Sequence, residues 1–134
     1  MAEELITRTL LGIKRCLERS GGVLPESAEA LKKIVDAQDI VSLNLQRAVQ
    51  LCVDVALNRI SALGLEVPDT MAGAFVVLGN AGKLPNEVVA SMRAAVGFRT
   101  LSVHQYDEID WDIVYMICTK HLPDLKRFAS MMAN

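Results

Sequence analysis

Apolar residues recur every three or four positions along most of the chain, and glycine and proline mark the gaps between these stretches. Ile6, Leu10, Ile13 and Leu17 form the first line, with Arg8, Lys14, Arg15, Glu18 and Arg19 mostly off it. Such spacing predicts an amphipathic helix over 3–19, stopped by Ser20-Gly21-Gly22. After Pro25 a second helix is expected from about 26 to 36, carrying Ala30, Leu31, Ile34 and Val35. The longest pattern covers 37–63, where Val41, Leu45, Ala48, Cys52 and Val55 keep a four-three rhythm suited to antiparallel bundle packing. A second line on this helix, through Arg47, Gln50, Asp54, Asn58 and Ser61, is polar and reads as a solvent-facing stripe. Asp54 sits among Leu51, Cys52, Val53, Val55 and Ala56, so it is also a candidate to border a site.

Gly64 closes the long helix, and Asp69, after Pro68, is the expected N-cap of a short one through Ala72, Phe75, Val76 and Leu78. Gly79-Asn80-Ala81-Gly82 reads as a turn, since it lacks the spacing of a phosphate-binding loop. Pro85-Asn86 opens a helix with Val88, Met92 and Ala95 on one face. Asp110 is placed to cap the last helix, which carries Trp111, Val114, Ile117, Cys118 and His121. Pro123 predicts a kink or restart before 125–131. Neither a repeat nor a linker interrupts the series. The expectation is an all-α antiparallel helical bundle of about five to six helices, a single domain over 1–134.

Composition sharpens this. Hydrophobic residues make up 51% of the 134 positions and aromatics only 4%, so the core must be aliphatic, which suits packed helices. The net charge of −2 speaks against a broad basic face for nucleic acid, but leaves room for a local cluster of Arg and Lys. Cys16, Cys52 and Cys118 lack metal-ligand spacing, and an odd number makes a poor disulfide framework. Reduced, buried thiols are expected. Met1–Leu5 shows no signal-peptide pattern, and charge interrupts the longest apolar runs. A cytoplasmic protein with no membrane segment, metal site or cofactor is therefore expected.

The chemistry concentrates in Gly97-Phe98-Arg99-Thr100-Leu101-Ser102-Val103-His104-Gln105-Tyr106-Asp107. The apolar line of Val88, Met92 and Ala95 runs on into Arg99, Ser102 and Tyr106. A guanidinium on a buried line is costly unless it is paired or lines a cleft or interface. His104 adds a group that exchanges protons near neutral pH. Arginine for a phosphate and histidine for a proton together suit metal-free cleavage of an RNA backbone. Arg93, one to two turns earlier, either adds positive charge to the site or is an ordinary surface residue. A five-residue step sets Arg99 and His104 about 140° apart on an ideal helix. They converge only through the long Arg side chain and unwinding near His104, or across a dimer axis. The competing structural reading pairs Arg99 with Asp54 and leaves His104 as a helix C-terminal residue favoured by the macrodipole. His121 has no partner motif and reads as a satisfied core or interface histidine.

The spacing R-x4-H-x-Y, with Val49–Ala56, Val67–Thr70, Phe75–Leu78 and Gly97–Arg99 in this order, resembles the HEPN ribonuclease toxins paired with a minimal nucleotidyltransferase antitoxin. The resemblance covers nearly the whole chain. It implies a homodimer in which two copies of the motif face each other, with Arg99 and His104 catalytic and RNA, expected to be tRNA, as substrate. It also implies a type VII-like toxin–antitoxin pair, in which the antitoxin silences the toxin by adenylylating Tyr106. Asp54 would then orient Arg99 or His104. Thr100 departs from the pattern, which usually has Asn after the Arg, and this bears on how substrate or Arg99 is held. The alternative is a non-catalytic helical subunit that binds nucleotide or substrate, or dimerises, for a nucleotidyltransferase. The acidic net charge and Thr100 favour that alternative, whereas intact Arg99, His104 and Tyr106 favour the nuclease.

Overall fold

The structure, a computed structural model, describes residues 2–133. Helix α1 spans Ala2–Gly22, α2 Ala28–Leu31, α3 Val35–Ala62, α4 Met71–Asn80 and α5 Asn86–His104. A 3-10 turn, Tyr106–Glu108, leads to α6, Trp111–Met116, which runs through a π-helical turn, Ile117–His121, into α7, Leu122–Met132. Counting α6 to α7 as one interrupted helix, the described residues form six helices and no strand, as the periodicity predicts.

Helix α3 is the axis of the bundle. Its 28 residues rise about 42 Å, and α1, α4, α5 and α7 all pack on it. Val41, Leu45, Ala48, Cys52 and Val55 are buried along one face, as their rhythm predicts. On α1, Ile6, Ile13 and Leu17 are buried and Leu10 is partly so. An 18-residue stretch of α3 has a mean hydropathy of 1.3, so α3 is long and apolar enough to cross a membrane, contrary to the expectation from charge interruption. Half of that stretch is buried inside the bundle, which accounts for its composition as a core helix.

Several predicted boundaries move, each for a local reason. Helix α1 continues through Ser20-Gly21-Gly22, because the Ser20 hydroxyl is buried and donates to the Val41 carbonyl at 3.3 Å. The helix expected over 26–36 is a single turn, capped by Ser27 accepting from the Ala30 N–H. Gln38 donates its amide to the Leu31 carbonyl and holds the break between α2 and α3. Ile34 and Val35, expected on the buried face, are therefore exposed. Thr70, not Asp69, caps α4 by accepting from the Gly73 N–H. In α4 the buried side is Ala74, Phe75 and Leu78, while Ala72 and Val76 are only partly covered. The expected turn at 79–82 is half helix, since α4 runs through Asn80. Gly79 lets α5 come close: a Cβ there would lie 2.7 Å from a Val89 methyl.

Asp110 caps α6 as predicted, accepting from the Asp112 N–H. Pro123 is accommodated by the preceding π turn, which absorbs its missing hydrogen bond. At the far end, the Arg59 guanidinium donates twice to the Met132 carbonyl and pairs with Glu3 at 3.1 Å, tying α1, α3 and α7 together. Phe75 and Phe128 meet edge to face at 5.3 Å between ring centres, joining α4 to α7. Cys52 and Cys118 are buried, and burial pushes the Cys118 thiol up to about 12. Cys16, expected buried, is only partly covered. All three are free thiols.

Candidate active site

Helix α5 carries Arg99 and His104, and it packs against α3, α4 and α7. Val88, Met92 and Ala95 point fully inward, so the helix phase is locked three turns before the chemistry begins. One turn further on that line, Arg99 is half-buried. Ser102 is buried and its hydroxyl donates to the Arg99 carbonyl at 2.9 Å, keeping the last turn closed. The guanidinium of Arg99 makes no ion pair or hydrogen bond among the described residues. A half-buried cation without a carboxylate has its charge partly stripped of water, an arrangement that can accept an anion.

His104 is exposed and is the last residue of α5. The helix stays wound through it, with the Gln105 N–H bonded to the Leu101 carbonyl at 2.7 Å. Convergence of Arg99 and His104 by local unwinding, one of two routes open to the sequence, therefore does not occur within the chain. His104 instead continues a different line of α5, through Ala94, Gly97 and Leu101. Those three residues border a shallow apolar groove of about 250 Å³, closed on its other side by Ile113, Met116 and Ile117. Ala94 and Gly97 are small and exposed, and a Cβ added at Gly97 would meet nothing.

Tyr106 leaves the helix and lies in the 3-10 turn, 40% exposed. Its ring stands edge-on to Trp111 at 6.1 Å. Its hydroxyl donates to Oδ1 of Asp39, in the second turn of α3, at 2.8 Å. Partial burial of the ring, and then the Asp39 carboxylate beside it, push the phenol up to about 12, while the Ser42 hydroxyl works the other way. Because the folded value lies above the unfolded one near 10, this contact stabilises the fold fully below about pH 10 and is lost as pH rises toward 12. In a Tyr115→Phe protein, where Tyr106 is the sole tyrosine, phenolate absorbance should therefore emerge well above the pH of free tyrosine. Adding Asp39→Asn should bring it back down. An unchanged titration in the double variant would show that Asp39 does not act on the phenol.

The remaining predicted residues are placed as follows. Asp54 is exposed and accepts from Gln50 one turn earlier, and it bonds neither Arg99 nor His104. The ion pair between Arg99 and Asp54 considered from the sequence is not formed. Arg93 and Thr100 are exposed on α5. His121 is satisfied as expected: its Nδ1 lies 2.8 Å from the Ser91 hydroxyl, which donates to Asp124 at 2.6 Å. No group of three or more His, Cys, Asp or Glu able to hold a metal occurs among the described residues. Sequence reasoning missed Asp39. It lies 67 positions from Tyr106, and among the first residues of α3 it looks like an ordinary acid favoured by the helix dipole.

Comparison with known proteins places this arrangement. The chain is 30% identical to the mRNA nuclease HepT of Shewanella oneidensis over 131 residues, 96% of each chain. It superposes with a TM-score of 0.88 on a chain of a toxin–antitoxin crystal structure with AMP-PNP, at 28% identity and 96% coverage of both chains. A second match, at a TM-score of 0.86, 29% identity and 94% coverage of both, comes from tri-AMPylated Shewanella oneidensis HEPN toxin in complex with MNT antitoxin. The sequence model of the Ribonuclease HepT-like family matches residues 13–132. With that match over most of its length, the chain belongs to the Ribonuclease HepT-like family.

Proposed function

We propose that this chain is the toxin of a toxin–antitoxin pair, an endoribonuclease whose cleft forms between two copies and uses Arg99 and His104 of each. The observation that carries this reading is the half-buried Arg99, which has no acidic partner among the described residues, on the same helix as an exposed His104 that lies on a different face. A second copy set against the Ala94–Gly97–Leu101 line would bring a second His104 into reach and cover the apolar groove beside it. In the cleft, Arg99 holds the scissile phosphate through its planar fork of donors and stabilises the charge that builds on it. One His104 takes the 2′-OH proton and the other protonates the leaving 5′-oxygen, so the products end in a 2′,3′-cyclic phosphate. Side chains supply both proton transfers, and no step calls for a metal.

Tyr106 is the residue we assign to silencing. A nucleotidyltransferase antitoxin of the MNT kind would transfer AMP to its hydroxyl, and the added negative bulk beside the motif would close the cleft to RNA. The partly exposed side chain suits an acceptor. The pair would act in the cytoplasm, where its RNA is. Asp54 and Arg93, both exposed and bonded to neither Arg99 nor His104, take no step in this mechanism, and Thr100, exposed beside Arg99, would contact the substrate backbone.

The test is cleavage of purified messenger and transfer RNA in EDTA by protein with an unmodified Tyr106, with the 3′ ends analysed. The sequence led us to expect tRNA, whereas the Shewanella relative is named for mRNA, so both substrates are needed. Cutting that survives EDTA and leaves cyclic phosphate is the expected result. No cutting of either RNA would favour the non-catalytic subunit that Thr100 and the acidic net charge suggest.

A further inference from the structure

The hydrogen bond between Tyr106 and Asp39 joins the residue assigned to modification with a side chain that neither the motif nor the cleavage mechanism uses. It is the sole bond given by the Tyr106 hydroxyl, and Asp39 accepts no other among the described residues. We propose that Asp39 positions the Tyr106 hydroxyl as the acceptor of a nucleotidyl group and takes its proton as the phosphoester forms. This rests on the reading of Tyr106 as the silencing residue.

Two physical requirements lead there. A phenol is a weak nucleophile until its proton leaves, and proton transfer needs an acceptor within hydrogen-bond reach. At 2.8 Å, Oδ1 of Asp39 meets that condition. The acceptor oxygen must also be held still while a nucleoside triphosphate is brought to it. Here the ring rests edge-on against Trp111 and the hydroxyl is tethered to α3, so both ends of the side chain are fixed although it lies in a short turn. Other ionisable groups in the adjoining segments are Lys32, Lys33 and Asp36 before Asp39, His104 at the end of α5, Asp107 and Glu108 after Tyr106, and Asp110 and Asp112 on either side of Trp111. None of them bonds to either partner.

The step balances with a nucleoside triphosphate as co-reactant. A lone pair on the Tyr106 oxygen forms the bond to the α-phosphorus, and the bond from that phosphorus to pyrophosphate breaks. The electron pair leaves on pyrophosphate, and the phenolic proton passes to Asp39. After transfer the oxygen has no hydrogen to give, and its phosphodiester repels the carboxylate. The contact that positions the acceptor is thus consumed by the reaction and marks the unmodified state.

The full chain would be mixed with an MNT-type nucleotidyltransferase and ATP labelled at the α-phosphate, and single-turnover incorporation followed from pH 6 to 9. Wild type should label at a nearly level rate. Asp39→Asn keeps an oxygen that can accept the bond but cannot take the proton. It should fall by about 10²-fold at neutral pH and regain about tenfold per pH unit as hydroxide takes over. Asp39→Glu should recover part of the rate. Melting curves on each variant check the fold, which this exposed position should hardly disturb. If Asp39→Asn labels at the wild-type rate with the same pH profile, or slows by one factor at every pH, Asp39 is not the proton acceptor. If wild type takes no label, or Tyr106→Phe labels as wild type does, the assignment of Tyr106 itself is wrong and both readings fall.

Discussion

Replacing His104 with alanine should lower RNA cleavage by about 10²- to 10⁴-fold, the usual contribution of a positioned acid or base. Arg99→Ala should lose a comparable factor, about 10²- to 10³-fold, by removing donors aimed at the charge that builds on phosphate. Neither change should cost much stability. His104 is exposed, and Arg99 forms no ion pair that its loss would leave broken among the described residues. The decisive form of the experiment is a mixed dimer, one copy carrying Arg99→Ala and the other His104→Ala, purified through two tags. A cleft shared between copies predicts that this mixed dimer cuts faster than either parent homodimer, because Arg99 of one copy and His104 of the other survive together. A site contained within one protomer predicts no recovery, since each copy lacks one residue. The wound helix between Arg99 and His104 leads us to expect recovery.

Phe128→Ala should destabilise the fold by about 3–5 kcal/mol, with a fall in melting temperature on the order of 10–15 °C. Phe128 is fully buried and packs edge to face on Phe75, in a core that has few other aromatics to close the gap. The loss combines the transfer free energy of the ring, the cavity left behind and the aromatic contact. Phe128→Leu should cost much less because it refills most of the volume. Since α4 and α7 both bear on α5, the alanine variant should also weaken cleavage near its lowered melting temperature while keeping it at low temperature. A melting shift of only a degree or two by calorimetry would show that the site collapses around the missing ring, and that this contact is not what ties α4 to α7.

Much of the molecule was legible in the chain. Five of the helices follow from apolar spacing, because a helix that buries one face must repeat apolar residues every three to four positions. Val41 to Val55 in α3 and Val88 to Ala95 in α5 are clear cases. The failures came where a local signal competed with a long-range bond. Ser20-Gly21-Gly22 looked like a stop, but a buried hydroxyl bonded to Val41 keeps the helix going. The apolar residues at 30–35 looked like a helix face, but Gln38 holding the Leu31 carbonyl breaks the chain there and leaves Ile34 and Val35 outside.

The candidate site divides along the same boundary. Sequence by itself singled out the residues to which we assign the chemistry, Arg99, His104 and Tyr106, because their types and spacing match what a phosphate, a proton and an acceptor hydroxyl require. It also determined the helix that presents Arg99 and His104, because the apolar line of α5 sets its phase; Tyr106, expected on the same line, lies beyond the helix in the 3-10 turn. Only the tertiary structure decided that Arg99 has no carboxylate partner among the described residues, that α5 stays wound through His104, and that Tyr106 rests on Asp39. Those facts depend on how α3, α5 and the 3-10 turn meet. Contacts between residues 67 positions apart leave no period or spacing in the chain, since they are fixed by the packing of whole helices.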